Sequence, residues 1–152
     1  MSESLFRTTK RIRFQDCDPA GIVYYPNFVD KVEAAIEDWM SDALGESYTR
    51  WIFAERLGMP RVKVVCNFMK PCFMGERLTL TLYLRKLGRS SFEIEAVGSV
   101  AGEERLRIAL VLVSISLESH KAVPLWEPLR AKLERYLRLS EESVAQAREA
   151  LR

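Results

Sequence analysis

The spacing of apolar residues predicts a long helix in the first third of the chain. Residues 25–43 carry apolar side chains at intervals of three and four, opposite a charged face, which is typical of an amphipathic helix. The apolar positions of this segment are Phe28, Val32, Ile36, Trp39 and Met40. A shorter helix is predicted over residues 47–57, with Gly58 as the residue that follows its last turn.

Elsewhere the apolar period is two, which predicts strands. Segments with one apolar and one more polar face lie at residues 8–15, 61–68, 78–85 and 92–97. In the first of them, Ile12 and Phe14 are expected to share the buried face. The segment 106–117 is apolar on both faces, so we expect a central strand that is covered on two sides.

The last part of the chain returns to helical spacing. Leu129, Leu133 and Leu137 predict a C-terminal helix, and Ser140 is placed to cap a final helix over about 141–151. The order of elements is strand, helix, four strands and C-terminal helices. This order predicts an α+β fold in which one long helix lies on an antiparallel sheet. At 152 residues, we expect a single domain over residues 1–152.

The composition narrows the classes of function. The formal net charge of +2 lacks the basic surplus of a nucleic-acid binder, so no nucleic-acid partner is expected. The three cysteines lack metal-ligand spacing and His120 is the only histidine, so we predict no metal site and no bound cofactor. No run of about 18 apolar residues occurs, and the N-terminus has no apolar signal segment. We therefore expect a cytoplasmic protein with reduced thiols and no membrane partner.

The most informative segment runs from Asp16 to Phe28 and reads DCDPAGIVYYPNF. It joins the end of the first strand to the start of the long helix, and Pro26 suits a first helical turn. It therefore places a carboxylate on a tight loop beside a helix N-terminus. A carboxylate can attack an acyl carbonyl or activate a water molecule. The free N–H groups of the helix start can then stabilise the oxyanion that forms.

This segment resembles the signature of the hotdog-fold acyl-CoA thioesterases, specifically the 4-hydroxybenzoyl-CoA thioesterase group. The resemblance implies a curved antiparallel five-stranded sheet wrapped around a long helix, with Asp18 as the catalytic carboxylate. It implies that the backbone N–H of Tyr25 polarises the thioester carbonyl, and it leaves open whether Asp18 is the nucleophile or the general base. It also implies a homo-oligomer, a dimer or a tetramer, in which sheets join edge to edge and the active site lies at the subunit boundary.

The same resemblance suggests how an acyl-CoA substrate would be held. The stretch Tyr25-Pro26-Asn27-Phe28 is closest to the hydroxybenzoyl-CoA type, which favours an aromatic acyl group. Glu33 matches an acidic position near the acyl ring, although a solvated or dimer-contacting glutamate would look the same. The residues that resemble a basic turn facing the nucleotide of CoA are Arg85, Lys86, Arg89 and Ser90. Charged hairpin turns also keep loops solvated, so this assignment stays open.

Other functions fit the sequence less well. An Asp-x-Asp at a strand end also occurs in magnesium-dependent phosphatases of the haloacid dehalogenase type, but their βαβ alternation is missing. A hotdog dehydratase or hydratase needs a catalytic histidine on the helix side, and His120 lies after the sheet. A non-catalytic acyl-binding or regulatory hotdog protein remains an alternative. So does a thioesterase that acts on aliphatic acyl-CoA or on an acyl-carrier protein.

Overall fold

A computed structural model describes residues 3–152 of the chain. Met1 and Ser2, which begin the stretch judged to lack a signal segment, lie outside the described residues. The helices are α1 (Pro26–Asp38), continued by a π-helical turn at Trp39–Ala43, α2 (Tyr48–Phe53) and α3 (Glu127–Ala150). The strands are β1 (Arg7–Arg11), β2 (Leu57–Gly58), β3 (Arg61–Phe68), β4 (Arg77–Leu87), β5 (Ser91–Val100), β6 (Glu103–Val113) and β7 (Ile115–Ser116).

Five strands form one antiparallel sheet in the order β1-β4-β5-β6-β3, and β2 pairs with β7 in a separate two-stranded ribbon. The strands β4, β5 and β6 follow one another as an antiparallel meander. Every second residue of these strands is buried, as in Leu78, Leu80 and Leu82 of β4. The apolar stripe of α1 is buried in the same core, since Val32, Ile36 and Trp39 have no exposed surface.

The structure corrects three details of the predicted strands. Phe14 is 81% exposed, because the chain leaves β1 before Ile12 and turns into a short 3-10 helix at Phe14–Asp16. The segment predicted at 106–117 ends as β6 at Val113, and its outward face is only half-buried. Because β5 lies at the centre of the five strands, β6 is an interior strand but not the central one.

Two predicted helix ends are also wrong. Gly58 does not end a helix, because α2 stops at Phe53 and Gly58 belongs to β2. Ser140 does not cap a last helix, because α3 runs without a break from Glu127 to Ala150. The structure thus has one C-terminal helix where the sequence predicted two.

Ser140 instead takes part in covering an edge of the sheet. β1 pairs with β4 only as far as Thr81, so the rest of that edge of β4 faces α3. The Ser140 hydroxyl accepts a hydrogen bond from the Leu84 N–H at 3.0 Å, and the Tyr136 hydroxyl donates to the Leu82 carbonyl at 2.7 Å. Two buried side chains therefore satisfy strand groups that would otherwise need a neighbouring strand.

Candidate active site

The segment between β1 and α1 forms a small hairpin. The Tyr24 N–H donates to the Asp16 carbonyl at 2.9 Å, Cys17 pairs with Val23, and the Asp18 N–H donates to the Ile22 carbonyl at 2.9 Å. These bonds bring the two ends of the hairpin together directly before the first turn of α1. The tip that carries Asp18 is therefore fixed relative to the start of that helix.

Asp18 forms the first corner of the turn at the tip. Its carbonyl accepts the Gly21 N–H at 3.0 Å, and its Oδ1 accepts the Ala20 N–H at 2.8 Å. Gly21 has a φ of +80°, a conformation that glycine adopts without strain. Within residues 3–152, the Asp18 Oδ2 accepts no hydrogen bond. One oxygen of the carboxylate is thus anchored and the other is free to react.

The N–H of Tyr25 is available at the start of α1. Pro26 occupies the first helical position, and the Phe28 N–H donates to the Tyr25 carbonyl at 3.1 Å. The Tyr25 N–H itself donates to no acceptor in the described part of the chain. It lies at the positive end of the helix dipole, where a developing oxyanion is stabilised. Its position agrees with the predicted role, which no observation here tests.

Asp16 and Asn27 support the loop that carries Asp18. Asp16 is buried, and its carboxylate accepts the Arg13 N–H at 2.7 Å and pairs with Lys31 at 3.0 Å. The Asn27 side chain donates to the Asp16 carbonyl at 2.8 Å. Both residues therefore act as structural hydrogen-bonding groups. Burial, and then the charges of Asp16 and Asp18, raise the pKa of the Cys17 thiol, which disfavours the thiolate that a nucleophilic cysteine needs.

The hairpin rests on the segment between β3 and β4, a contact that the sequence analysis did not predict. Ile22 pairs with Phe73, and the Met74 N–H donates to the Gly21 carbonyl at 3.1 Å. Arg105 of β6 holds this segment by hydrogen bonds to the Pro71 carbonyl at 2.7 Å and to both oxygens of Glu76. These hydrogen bonds lower the pKa of Glu76. Because all these partners are distant in sequence, no local pattern could have revealed them.

Glu33 lies two turns along α1 and forms a two-bond ion pair with Arg61 of β3. The Arg61 guanidinium donates to Glu33 at 3.0 Å and 2.7 Å, and also to the Tyr48 hydroxyl at 3.2 Å. Burial opposes the charge of Arg61, but its bonds to Tyr48 and Glu33 outweigh that effect and raise the pKa of Arg61. The pair thus fixes the Glu33 carboxylate in one orientation.

An apolar groove of about 390 Å³ lies beside this ion pair. Its walls include Tyr48, Trp51, Leu57, Met59 and Arg61. Burial raises the pKa of the Tyr48 phenol, so this hydroxyl stays neutral at physiological pH. Aromatic and aliphatic walls beside a few polar groups are typical of small-molecule pockets of this size.

The structure does not bring the predicted basic turn to Asp18 within one chain. Arg85 pairs with Glu95 of β5 at 2.6 Å, and Lys86 and Arg89 are exposed. Ser90 accepts the Ser114 N–H through its carbonyl. The turn follows the far end of β4, while the Asp18 hairpin lies at its start, so about 30 Å of strand separates them.

The described residues offer neither a metal cluster nor a membrane-spanning helix. Residues 3–152 contain no group of three or more histidine, cysteine or acidic side chains that could hold a metal ion. No helix in that part of the chain is long and apolar enough to cross a membrane. The predicted absence of a cofactor is not tested by these observations and stays a prediction.

Comparison with known proteins identifies the family of the chain. A family model described as the thioesterase-like superfamily matches residues 12–133, a segment that includes the Asp18 hairpin, α1 and the whole meander. The chain belongs to this superfamily. The predicted hotdog fold and the predicted thioesterase relationship of this superfamily member are thereby confirmed.

Individual relatives of this superfamily member are named for aromatic substrates. A 1,4-dihydroxy-2-naphthoyl-CoA hydrolase from Thermosynechococcus vestitus is 29% identical over 82% of this chain and 85% of its own length. A protein of that name from Nostoc punctiforme is 30% identical, over 63% of this chain and 64% of its own length. The crystal structure of a 1,4-dihydroxy-2-naphthoyl-CoA thioesterase from Synechocystis superposes with a TM-score of 0.79 at 25% identity. It covers 86% of this chain and 96% of that one.

Proposed function

We propose that this protein hydrolyses an aromatic acyl-CoA thioester to the free acid and coenzyme A. The observation that carries the proposal is the free Oδ2 of Asp18 on a hairpin that ends at the unpaired N–H of Tyr25. Membership of the thioesterase-like superfamily supports the reaction type. The names of the relatives support an aromatic acyl group, with a dihydroxynaphthoyl group as the first candidate.

The chemistry needs only groups that the hairpin and the helix start supply. The Asp18 carboxylate either attacks the thioester carbon or takes a proton from a water molecule that does so. The carbonyl oxygen becomes an oxyanion and accepts a hydrogen bond from the Tyr25 N–H. The bond from carbon to sulfur then breaks and CoA leaves as a thiolate, which is a good leaving group. If Asp18 attacks directly, water hydrolyses the resulting mixed anhydride and restores the carboxylate.

We further propose that two copies of the chain pair through β3. This strand forms one edge of the sheet, and apolar side chains are exposed along it. Val62 is 62% exposed, and Val64 and Val65 are more than 40% exposed. A long apolar edge strand is a template for pairing with another chain. The predicted dimer or tetramer and the cytoplasmic location stay predictions.

Pairing through β3 would also complete the acyl site. In an antiparallel pair, the Arg61 end of one β3 lies beside the Phe68 end of the other. Phe68 packs against Tyr25 and Phe28, with ring centroids 6.3 Å and 5.6 Å apart. The apolar groove and Glu33 of one copy would then face the Asp18 hairpin of its partner. The Glu33 carboxylate, held by Arg61, can accept a hydrogen bond from a hydroxyl on the acyl ring.

The decisive experiment compares the wild type with Asp18→Asn and with Asp42→Asn, an exposed aspartate on the π-helical turn, as the matched control. Thiol release is measured with benzoyl-CoA, 4-hydroxybenzoyl-CoA, 1,4-dihydroxy-2-naphthoyl-CoA and octanoyl-CoA. We expect turnover of the hydroxylated aryl thioesters, a loss of about 10³ or more in kcat for Asp18→Asn, and no change for Asp42→Asn.

Two results would overturn the proposal. Turnover that survives in Asp18→Asn would remove the catalytic assignment. Binding of the thioesters without any thiol release by the folded wild type would favour a non-catalytic acyl-binding protein. The pairing is tested separately by light scattering. We expect the particle mass of Val64→Lys to be smaller than that of the wild type, and we expect the variant to lose activity because the pair is lost.

A further inference from the structure

A second surface beside the Asp18 hairpin carries an unusual concentration of positive charge. A groove of about 500 Å³ lies between β1 and α1, on the side of α1 away from β3. We call it the basic groove. Its lining includes five cationic residues, Lys10, Arg11, Arg13, Lys31 and Arg77, and only two carboxylates, those of Asp16 and Asp30.

Most of these cations have no counter-charge in the protein. Lys31 pairs with Asp16 at 3.0 Å. Across residues 3–152, no carboxylate lies within ion-pair distance of Lys10, Arg11, Arg13 or Arg77. By contrast, Arg85, Arg105 and Arg107 of the neighbouring strands are each paired with glutamate. Several arginines elsewhere in the sheet are therefore neutralised by glutamate, whereas Arg11 and Arg77 of the groove are not.

The register of the sheet makes this arrangement costly without a ligand. Arg11 of β1 lies directly opposite Arg77 of β4. Like charges that face each other across an antiparallel pair destabilise it. Charges on an edge strand do keep other chains from pairing with it. Protecting an edge strand requires neither Arg77 opposite Arg11 nor a cation on α1.

The basic groove also adjoins the proposed reaction centre. Asp16 lines the groove, and its carbonyl accepts the N–H of Tyr24 and the amide of Asn27 at the start of α1. Asp18 follows two residues later. Within one chain, the basic turn at residues 85–90 lies about 30 Å away along β4, and its Arg85 is already paired with Glu95.

We propose that the basic groove binds the phosphate groups of the nucleotide end of coenzyme A while the thioester lies at Asp18. This inference rests on the proposed function, because it assigns the position of the carrier on the same substrate. Guanidinium groups bind phosphate oxygens through two parallel hydrogen bonds, and lysine adds a point charge. A bound phosphate would also relieve the repulsion between Arg11 and Arg77.

The experiment compares two double variants of the full chain. Arg11→Gln with Arg77→Gln removes the facing charges of the basic groove. Lys86→Gln with Arg89→Gln removes the same number of charges from the distant turn and is the matched control. Each protein is assayed with an aryl-CoA thioester and with the pantetheine thioester of the same acid, which has no nucleotide. Calorimetry measures the binding of adenosine 3′,5′-bisphosphate, and thermal melts check folding.

We expect the groove variant to raise KM for the CoA thioester at least tenfold, with kcat and the pantetheine thioester unchanged. Binding of adenosine 3′,5′-bisphosphate should weaken by a similar factor and should depend less steeply on salt. The control should behave as the wild type. If the groove variant does not fold, the single variants Lys10→Gln and Arg77→Gln are measured in the same way.

Three outcomes would overturn the inference. One is a higher KM in the Lys86 and Arg89 variant with an unchanged KM in the groove variant. Another is an equal effect on both thioesters. The third is weaker binding of adenosine 3′,5′-bisphosphate in the groove variant without any effect on KM, which would indicate that the groove holds a separate phosphorylated ligand. A failure of the proposed function can be distinguished from a failure of this inference, because the calorimetric titration still measures binding to the groove when no thioester is hydrolysed.

Discussion

Tyr25→Pro removes the N–H of Tyr25 together with a ring that packs against Phe68. In Tyr25→Pro the main chain has no hydrogen at this position, and the native φ of −52° is within the range of proline. No hydrogen bond of the described structure is lost, since this N–H donates to no acceptor there. The side chain is 61% exposed, so its loss should affect packing only slightly. Tyr25→Ala also removes the phenol ring but keeps the N–H, and is the matched control.

The expected effect follows from the role of a single oxyanion donor. Removing one such donor typically lowers kcat by about 10²–10³, or about 2.7–4 kcal/mol of transition-state stabilisation. We expect Tyr25→Pro to lose that factor relative to Tyr25→Ala, while both retain the wild-type melting temperature within a few degrees. Single-turnover thiol release from 1,4-dihydroxy-2-naphthoyl-CoA measures the chemical step directly. If both variants have the same kcat within about threefold and both are folded, the main-chain donor is not at Tyr25.

Three further predictions follow from individual contacts. Burial raises the pKa of Tyr136 from 10.0 to about 12. The neutral phenol therefore adds about 2–3 kcal/mol to the free energy of unfolding below pH 10, and this contribution is lost as the pH rises towards 12. In denaturant titrations, Tyr136→Phe should be less stable at neutral pH and lose less stability over that interval; equal losses would contradict this. The lowered pKa of Glu76 stabilises the fold above pH 4.5 and this contribution is lost as the pH falls through the lower folded value. Between pH 3 and 7, the melting temperature of Glu76→Gln should therefore fall less steeply with acid than that of the wild type, and the same is expected for Arg105→Gln. Glu33→Gln should lower kcat/KM about ten- to a hundredfold for a hydroxylated aryl thioester and little for benzoyl-CoA; an equal loss on both would indicate that Glu33 only orders Arg61.

Helix α1 and the meander could be predicted from the sequence because their signals are local. The apolar stripe from Phe28 to Met40 has one period throughout, and all of its members are buried in the structure. The alternation in β4 and β5 marks their buried face in the same way. In each case burial on one continuous face leaves a pattern that a reader of the sequence can count.

The errors arose where a distant contact decides a local choice. Ser140 has the chemistry of a helix cap, but Leu84 of β4 supplies a donor to its hydroxyl and the helix continues past it. Phe14 follows the alternation of β1, yet the Arg13 N–H bonds to the Asp16 carboxylate and turns the chain out of the strand. Such partners lie on other elements or depend on a turn, so propensity alone could not identify them.

The same difference between local and distant signals applies to the candidate site. Asp18 and Tyr25 could be proposed from the sequence because the hairpin and the helix start are contiguous. The pairing of Glu33 with Arg61 joins α1 to β3, and the cations of the basic groove come from β1, α1 and β4. A formal net charge of +2 hides that concentration, since most of the acidic residues lie outside the groove. Charge totals therefore say little about where a phosphate can bind.

The hydroxyls of Tyr136 and Ser140 also bear on how large an assembly of these sheets can become. Because α3 occupies one side of β4 and short, cationic β1 occupies the rest, the sheet described within residues 3–152 has one apolar edge, β3, on which another sheet can grow. A unit with one such edge makes a closed pair and cannot make a ribbon. The family match ends at residue 133, before both hydroxyls. A chain shortened there would offer a second edge, and we expect it to polymerise, whereas the proposed β3 pairing would join only two sheets of the full chain.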